Sequence, residues 1–193
     1  MEVQTVSEKS KGYVWILLGV PVLFALLALQ NAQAAPVSLS ALQYAGTGCS
    51  SANVSDVDVS KRVKTLSFNK FKAGSAAGQL RATCNMALPV TIPNGYQVAL
   101  SASFKGYIKG DGRLVRSYGS SLNPNGASFT SKLASVRGKG YSQIDNVSTQ
   151  WSACGRDSSS LNLRLNSSIQ VLNNASSMKV DKMTVRLNVR PCR

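Results

Sequence analysis

The sequence predicts an all-β protein, an antiparallel β-sandwich of jelly-roll or immunoglobulin-like type held by disulfides. Three observations lead there: apolar residues recur with period two, turn-forming tripeptides punctuate the runs, and four cysteines follow an export leader. Outside that leader no stretch has the 3.6-residue apolar period of a helix.

The leader comes first. Lys9 and Lys11 precede an apolar run from Tyr13 to Leu29, which gives way to Gln30, Asn31 and Ala32-Gln33-Ala34. A charged start, an apolar middle and a small-x-small site are the three parts of a secretory signal peptide, with cleavage expected after Ala34. The alternative is a retained anchor, but the run falls short of the roughly 20 apolar residues a spanning helix needs. The expected organisation is therefore a signal peptide over 1–34 and a single secreted β-sandwich domain over 35–193, with no integral membrane span after cleavage.

The strands follow in order. Ala82, Cys84, Met86, Leu88, Val90 and Ile92 form one apolar face. Val98, Leu100, Ala102 and Phe104 form a second, with Tyr96 leading in. Leu161, Leu163, Leu165, Ile169 and Val171 make a third, and Met183, Val185, Leu187 and Val189 a fourth. Strands of this kind bury one face and wet the other. The phase slips between Val180 and Met183, which predicts a bulge at Asp181-Lys182. Pro93-Asn94-Gly95, Gly110-Asp111-Gly112 and Pro124-Asn125-Gly126 read as turns. Ser117 to Ser142, rich in Ser, Gly and Asn and the least periodic stretch, is expected to contain long loops.

Cysteine usage agrees with export. An even number in an exported chain points to two disulfides rather than metal ligation, because no pair of Cys49, Cys84, Cys154 and Cys192 has close ligand spacing. Three connectivities are open. Similar loop sizes favour Cys49–Cys84 with Cys154–Cys192, each contributing about 4 kcal/mol by loop closure.

The cysteines sit in a recognisable order of short motifs: Gly46-Thr47-Gly48-Cys49, then Phe68 and Phe71, Arg81-Ala82-Thr83-Cys84, Leu88-Pro89, Pro93-Asn94-Gly95-Tyr96, Lys105-Gly106-Tyr107, Cys154-Gly155 and Arg190-Pro191-Cys192. Over residues 42–193 this resembles the secreted proteins grouped as domain of unknown function 4360. The pattern departs at Asn188-Val189, where that family usually carries an aromatic-arginine pair. The resemblance implies export, paired cysteines and a β-rich fold, and it implies no activity.

Composition narrows the chemistry. The chain has no histidine, and its two glutamates, Glu2 and Glu8, fall in the leader. Ser-His and Cys-His nucleophile systems and His-ligated zinc are thereby excluded, and no cofactor or metal site is expected. Catalysis is not expected, although paired aspartates leave a hydrolase as a rival reading. Asp56 and Asp58 share one face of a strand, but Val54, Val57 and Val59 mark an ordinary edge strand with a solvated face or a loose cation contact.

Charge is the more informative feature. The net charge of +14 exceeds the roughly 2–8 usual for a small soluble domain. The basic residues are scattered rather than gathered in a tail, so the field belongs to the folded surface. The expected role is a binding or structural module at the cell surface, envelope or matrix. Its expected partners are anionic polysaccharide, envelope phosphate or extracellular DNA, with Lys105, Lys109, Arg113 and Arg116 as contacts. The alternative is neutral-glycan binding through Tyr107, Tyr118, Tyr141 and Trp151, the aromatics that fall off the inward phase or near loops.

Overall fold

The computed structural model describes residues 37–39, 42–121, 126–145, 151–156 and 160–192. The expected signal segment 1–34 and the expected cleavage after Ala34 lie outside the described residues. Among the described residues nine strands follow in chain order: β1 (Gln43–Ala45), β2 (Val54–Ser60), β3 (Val63–Phe68), β4 (Lys72–Gly74), β5 (Arg81–Thr91), β6 (Tyr96–Ser120), β7 (Ser128–Ile144), β8 (Ser160–Val171) and β9 (Ser177–Pro191). Every pairing is antiparallel. No helix among the described residues is long and apolar enough to cross a membrane.

The strands form one continuous curled sheet, ordered β1-β5-β8-β6-β9-β3-β2, with β4 on β9 and β7 on β6. β6 organises it. Over Tyr96–Lys109 it pairs with β9, and from Gly112 to Ser120 it pairs with β8. β7 accompanies it through both halves and, among the described residues, pairs with no other strand. Two wings result: β2-β3-β9 on the first half of β6, and β1-β5-β8 on the second.

The wings face each other across one core. Even-numbered positions of β6 are buried in both halves, among them Val98, Phe104, Ile108 and Leu114. The guanidinium of Arg116 lies 6.0 Å from the ring centroid of Phe104. A straight strand, rising ~3.3 Å per residue, would hold those two residues roughly 40 Å apart. β6 therefore folds back on itself.

Glycine makes the bend. Gly110 has φ +76°, and a Cβ there would lie 2.2 Å from Ser176 Oγ, which accepts the Asp111 N–H at 3.0 Å. At this point the β6–β7 register jumps from Ile108↔Lys139 to Gly110↔Ser135, and Gly138 on β7 has φ +86°. Gly110-Asp111-Gly112, expected as a turn, is thus a bulged bend inside a 25-residue strand. Positive φ serves both uses, so the tripeptide alone does not separate them. The expected long loops over Ser117–Ser142 are corrected likewise: apart from 121–127 the stretch is the end of β6 and most of the 17-residue β7. β7 has no fully buried residue, only half-buried Phe129, Leu133 and Tyr141 against the core, so its alternation is faint in sequence.

The other strands follow their patterns. The expected faces of β5, β8 and β9 are buried, and the β6–β9 register slips by one residue at Asp181. Cys49 bonds Cys84 with both sulfurs inside the core, and Cys154 bonds Cys192 at the surface, the pairing that loop size favours. Residues 152–155 lie along the start of β6: Ser152 N–H donates to the Val98 carbonyl (2.9 Å) and Gly155 N–H to that of Tyr96 (2.8 Å).

Gly110→Val is expected to cost about 2 kcal/mol or more, through strained φ and collision with Ser176. Gly78→Ala, at φ +67° with open space around it, should cost about 1 kcal/mol. Denaturant midpoints of the two variants check the ranking.

Candidate functional site

The outward side of the first wing is built from alternate residues of four strands in register. Ser67 on β3, Lys182 on β9, Lys105 on β6 and Ser142 on β7 form one row. Two residues along, Thr65, Thr184 and Ser103 form the next, with the Thr65 and Thr184 hydroxyls 3.2 Å apart. A third joins Val63, Arg186 and Ser101. On the other side of the first row Tyr107 stands opposite Lys179, and Lys109 opposite Ser177. Cations and hydroxyls alternate down an open sheet face.

Lys105 and Lys182 are directly opposed, and both are exposed. Side chains in such a pair start about 5 Å apart, and like charges there are destabilising. No acid joins either of them or Arg186 in an ion pair among the described residues. The nearby Asp181 carboxylate is taken by Lys179 at 2.8 Å. The row is a local electrostatic cost that the fold retains.

The expected contact residues separate. Lys105, Lys109 and Tyr107 share this face. Arg113 lies on the outward side of the second wing, opposite Lys132 and Gln170. Arg116 and Tyr118 correct the expectation, since both point inward and are buried, with 1% and 3% exposure, and neither can meet a ligand at the surface. The charge of Arg116 suggested surface, although its phase with Leu114 and Tyr118 is the inward one. Tyr141 is on the inward side, its hydroxyl donating to the Lys179 carbonyl at 3.0 Å, and burial raises its ionisation above the usual tyrosine range. Trp151 is half-buried under Arg190, whose guanidinium lies 4.1 Å from the ring centroid while Nε donates to Gln97 Oε1 at 3.1 Å. The four aromatics therefore do not form one platform. Sequence reasoning did not single out Lys182 as a contact, because its apposition to Lys105 arises from a register no local pattern reveals.

Arg116 is instead part of a buried polar cluster. Its Nε donates to both carboxylate oxygens of Asp145 (3.0 and 3.2 Å), and its Nη1 donates to the Leu114 carbonyl (2.8 Å) and Ser131 Oγ (2.9 Å). Tyr118 donates its hydroxyl proton to Asp145 at 2.7 Å. Burial and the Asp145 charge raise the Tyr118 ionisation, so the phenol stays protonated and remains a donor. Asp145 N–H reaches the Ala102 carbonyl at 3.1 Å, so the cluster ties the second half of β6 to the first.

The aspartate pair has an ordinary explanation. Lys64 Nζ lies 2.8 Å from Asp56 and 3.3 Å from Asp58. Its hydrogen bond holds the Asp56 carboxyl below its usual value of 3.8, and the same bond raises Lys64.

Known proteins place the chain. It belongs to the family named Domain of unknown function (DUF4360), whose profile matches residues 35–191. No curated protein matches it. Solved structures to which the chain is similar include two. One is TmCBM61 in complex with beta-1,4-galactotriose, at 8% identity and a TM-score of 0.35, covering 80% of this chain and 91% of that one. The other is the enzymatically active domain of bacteriophage CBA120 tailspike protein 4, at 10% identity and a TM-score of 0.27, covering 80% of this chain and 20% of that one. Likeness at this level says nothing about the ligand of this chain.

Two outcomes are expected. Asp145→Ala strands a buried guanidinium and should cost about 3–5 kcal/mol, whereas an Arg116→Met/Asp145→Leu double variant recovers most of it; denaturant melts compare them. The Asp56 carboxylate is favoured by folding, so its contribution is present above its unfolded value near 3.8 and is lost as pH falls through the lower folded value. The stability gap between the wild type and Asp56→Asn, measured by urea melts from neutral to acid pH, should therefore close at the acid end.

Proposed function

We propose that this protein is an exported, non-catalytic binding module whose first-wing outer face holds anionic polysaccharide. One observation carries the reading: the unpaired, directly opposed Lys105 and Lys182, flanked by Ser67 and Ser142. An arrangement that destabilises the free protein is relieved when a polyanion lies across it. The hydroxyl row of Thr65, Thr184 and Ser103 supplies donors and acceptors suited to sugar hydroxyls. Single-stranded nucleic acid is a poorer match, since single strands are held by stacking on several aromatics and this face offers Tyr107 alone among the described residues.

The rival readings have less support. Trp151, the best stacking ring for a neutral glycan, is covered by Arg190, and Tyr118 is buried. Asp56 and Asp58 share one ammonium at the sheet edge, which favours a structural use over acid-base chemistry.

The test is elution of the mature protein from immobilised polygalacturonate, neutral galactan and double-stranded DNA along a salt gradient. Retention is expected on polygalacturonate at low salt and not at high salt. A Lys105→Ala/Lys182→Ala variant should elute earlier, with its salt slope reduced by roughly one per lysine, while being at least as stable as wild type. Unchanged elution of that variant overturns the site. Retention on DNA alone moves the ligand to nucleic acid, and salt-independent retention on galactan moves it to a neutral sugar.

A further inference from the structure

The second wing repeats the design on the opposite side of the molecule. Its outward residues also stand in rows: Arg81 on β5, Gln170 on β8, Arg113 on β6 and Lys132 on β7 are in register across four strands. Arg81, Arg113 and Lys132 are exposed, and Arg113 and Lys132 are directly opposed like charges. None of the three has an ion-pair partner among the described residues. Among the described residues Asp111 stands two residues from Arg113 on β6, and no ion pair joins them. The next rows are Thr83, Ser168, Val115 and Thr130, then Asn85, Asn166, Ser117 and Ser128. Beyond them Arg164, exposed and between Ala87 and Gly119, begins another cationic position.

A cation row followed by a hydroxyl-bearing row thus occurs on both wings. Because β6 bends at Gly110 and the wings close on one core, the two outward faces point away from each other. A single polymer strand lying on one face does not reach the other, and the same cationic chemistry is offered twice.

We propose that the protein is bivalent: the Arg81-Arg113-Lys132 face is a second polyanion site, and one molecule bridges two acidic polysaccharide chains. The inference rests on the binding reading above and adds that the product of binding is a cross-link. Cross-linking needs no new contact, only two faces that engage simultaneously.

The experiment uses beads coated with polygalacturonate at low salt, scored separately for protein bound per bead and for bead agglutination. Wild type should coat the beads and agglutinate them. Lys105→Ala/Lys182→Ala and Arg113→Ala/Lys132→Ala should each still coat the beads yet need at least about tenfold more protein to agglutinate them. The fourfold variant should do neither. All substitutions are at exposed positions where like charges oppose, and a thermal melt confirms each fold. Agglutination by either double variant at the wild-type concentration overturns bivalency, including the case in which two copies associate and present one face each. Equal coating by wild type and Arg113→Ala/Lys132→Ala, with no coating by Lys105→Ala/Lys182→Ala, also overturns it and leaves the single-site reading standing. Failure of wild type to coat the beads removes both readings.

Discussion

One strand has to serve two wings, and the bend in β6 is the constraint on which everything else turns. Without Gly110, the residues after it would continue along the first wing and their apolar side would find no partner. The bend brings Arg116 against Phe104 and places β8 where β9 would otherwise have continued. The cost is concentrated in a few atoms: a backbone in the left-handed region, a hydroxyl from Ser176 satisfying the Asp111 amide, and a second glycine on β7 that yields at the same level. β7 must bend with its partner, which explains its Ser- and Gly-rich composition better than a loop does.

The buried ion pair acts at the same fold. Moving a guanidinium and a carboxylate out of water is expensive, and their attraction offsets that only when the remaining donors and acceptors are also satisfied. Here the Leu114 carbonyl, Ser131 hydroxyl and Tyr118 phenol complete the cluster. Such a cluster adds little net stability over an apolar plug. What it supplies is direction, since Arg116 and Asp145 match in one arrangement of the two halves of β6 and in no slipped one.

Much of the fold is legible in the sequence. Strands buried on one face announce themselves, as Cys84 through Val90 and Leu161 through Val171 do, and the slip at Asp181 is visible because strong alternation lies on both sides of it. β7 escapes notice because it sits at the rim, where half-buried serines and glycines carry no contrast. Gly110-Asp111-Gly112 misleads because a turn and a bulge demand the same backbone. Arg116 misleads because charge outweighs phase in a reading of single residues, although phase was correct. The basic face is legible only as an excess of charge: which lysines meet across strands depends on pairings between β9 and β6, about eighty residues apart in the chain, that no local pattern encodes.

The two disulfides differ in a way that separates folding from environment. Cys49–Cys84 is sealed in the core, where a thiol reaches it only when the whole domain opens. Cys154–Cys192 lies at the surface, with Cys154 exposed, and joins the last strand to the segment that runs beside the start of β6. A mildly reducing medium would therefore open this bond before the buried one, leaving the C-terminal end and residues 151–156 held to the start of β6 by hydrogen bonds and the Arg190–Trp151 contact. The protein would change its covalent state at one end of β6 without unfolding, so its redox history could be read from that one corner of the molecule.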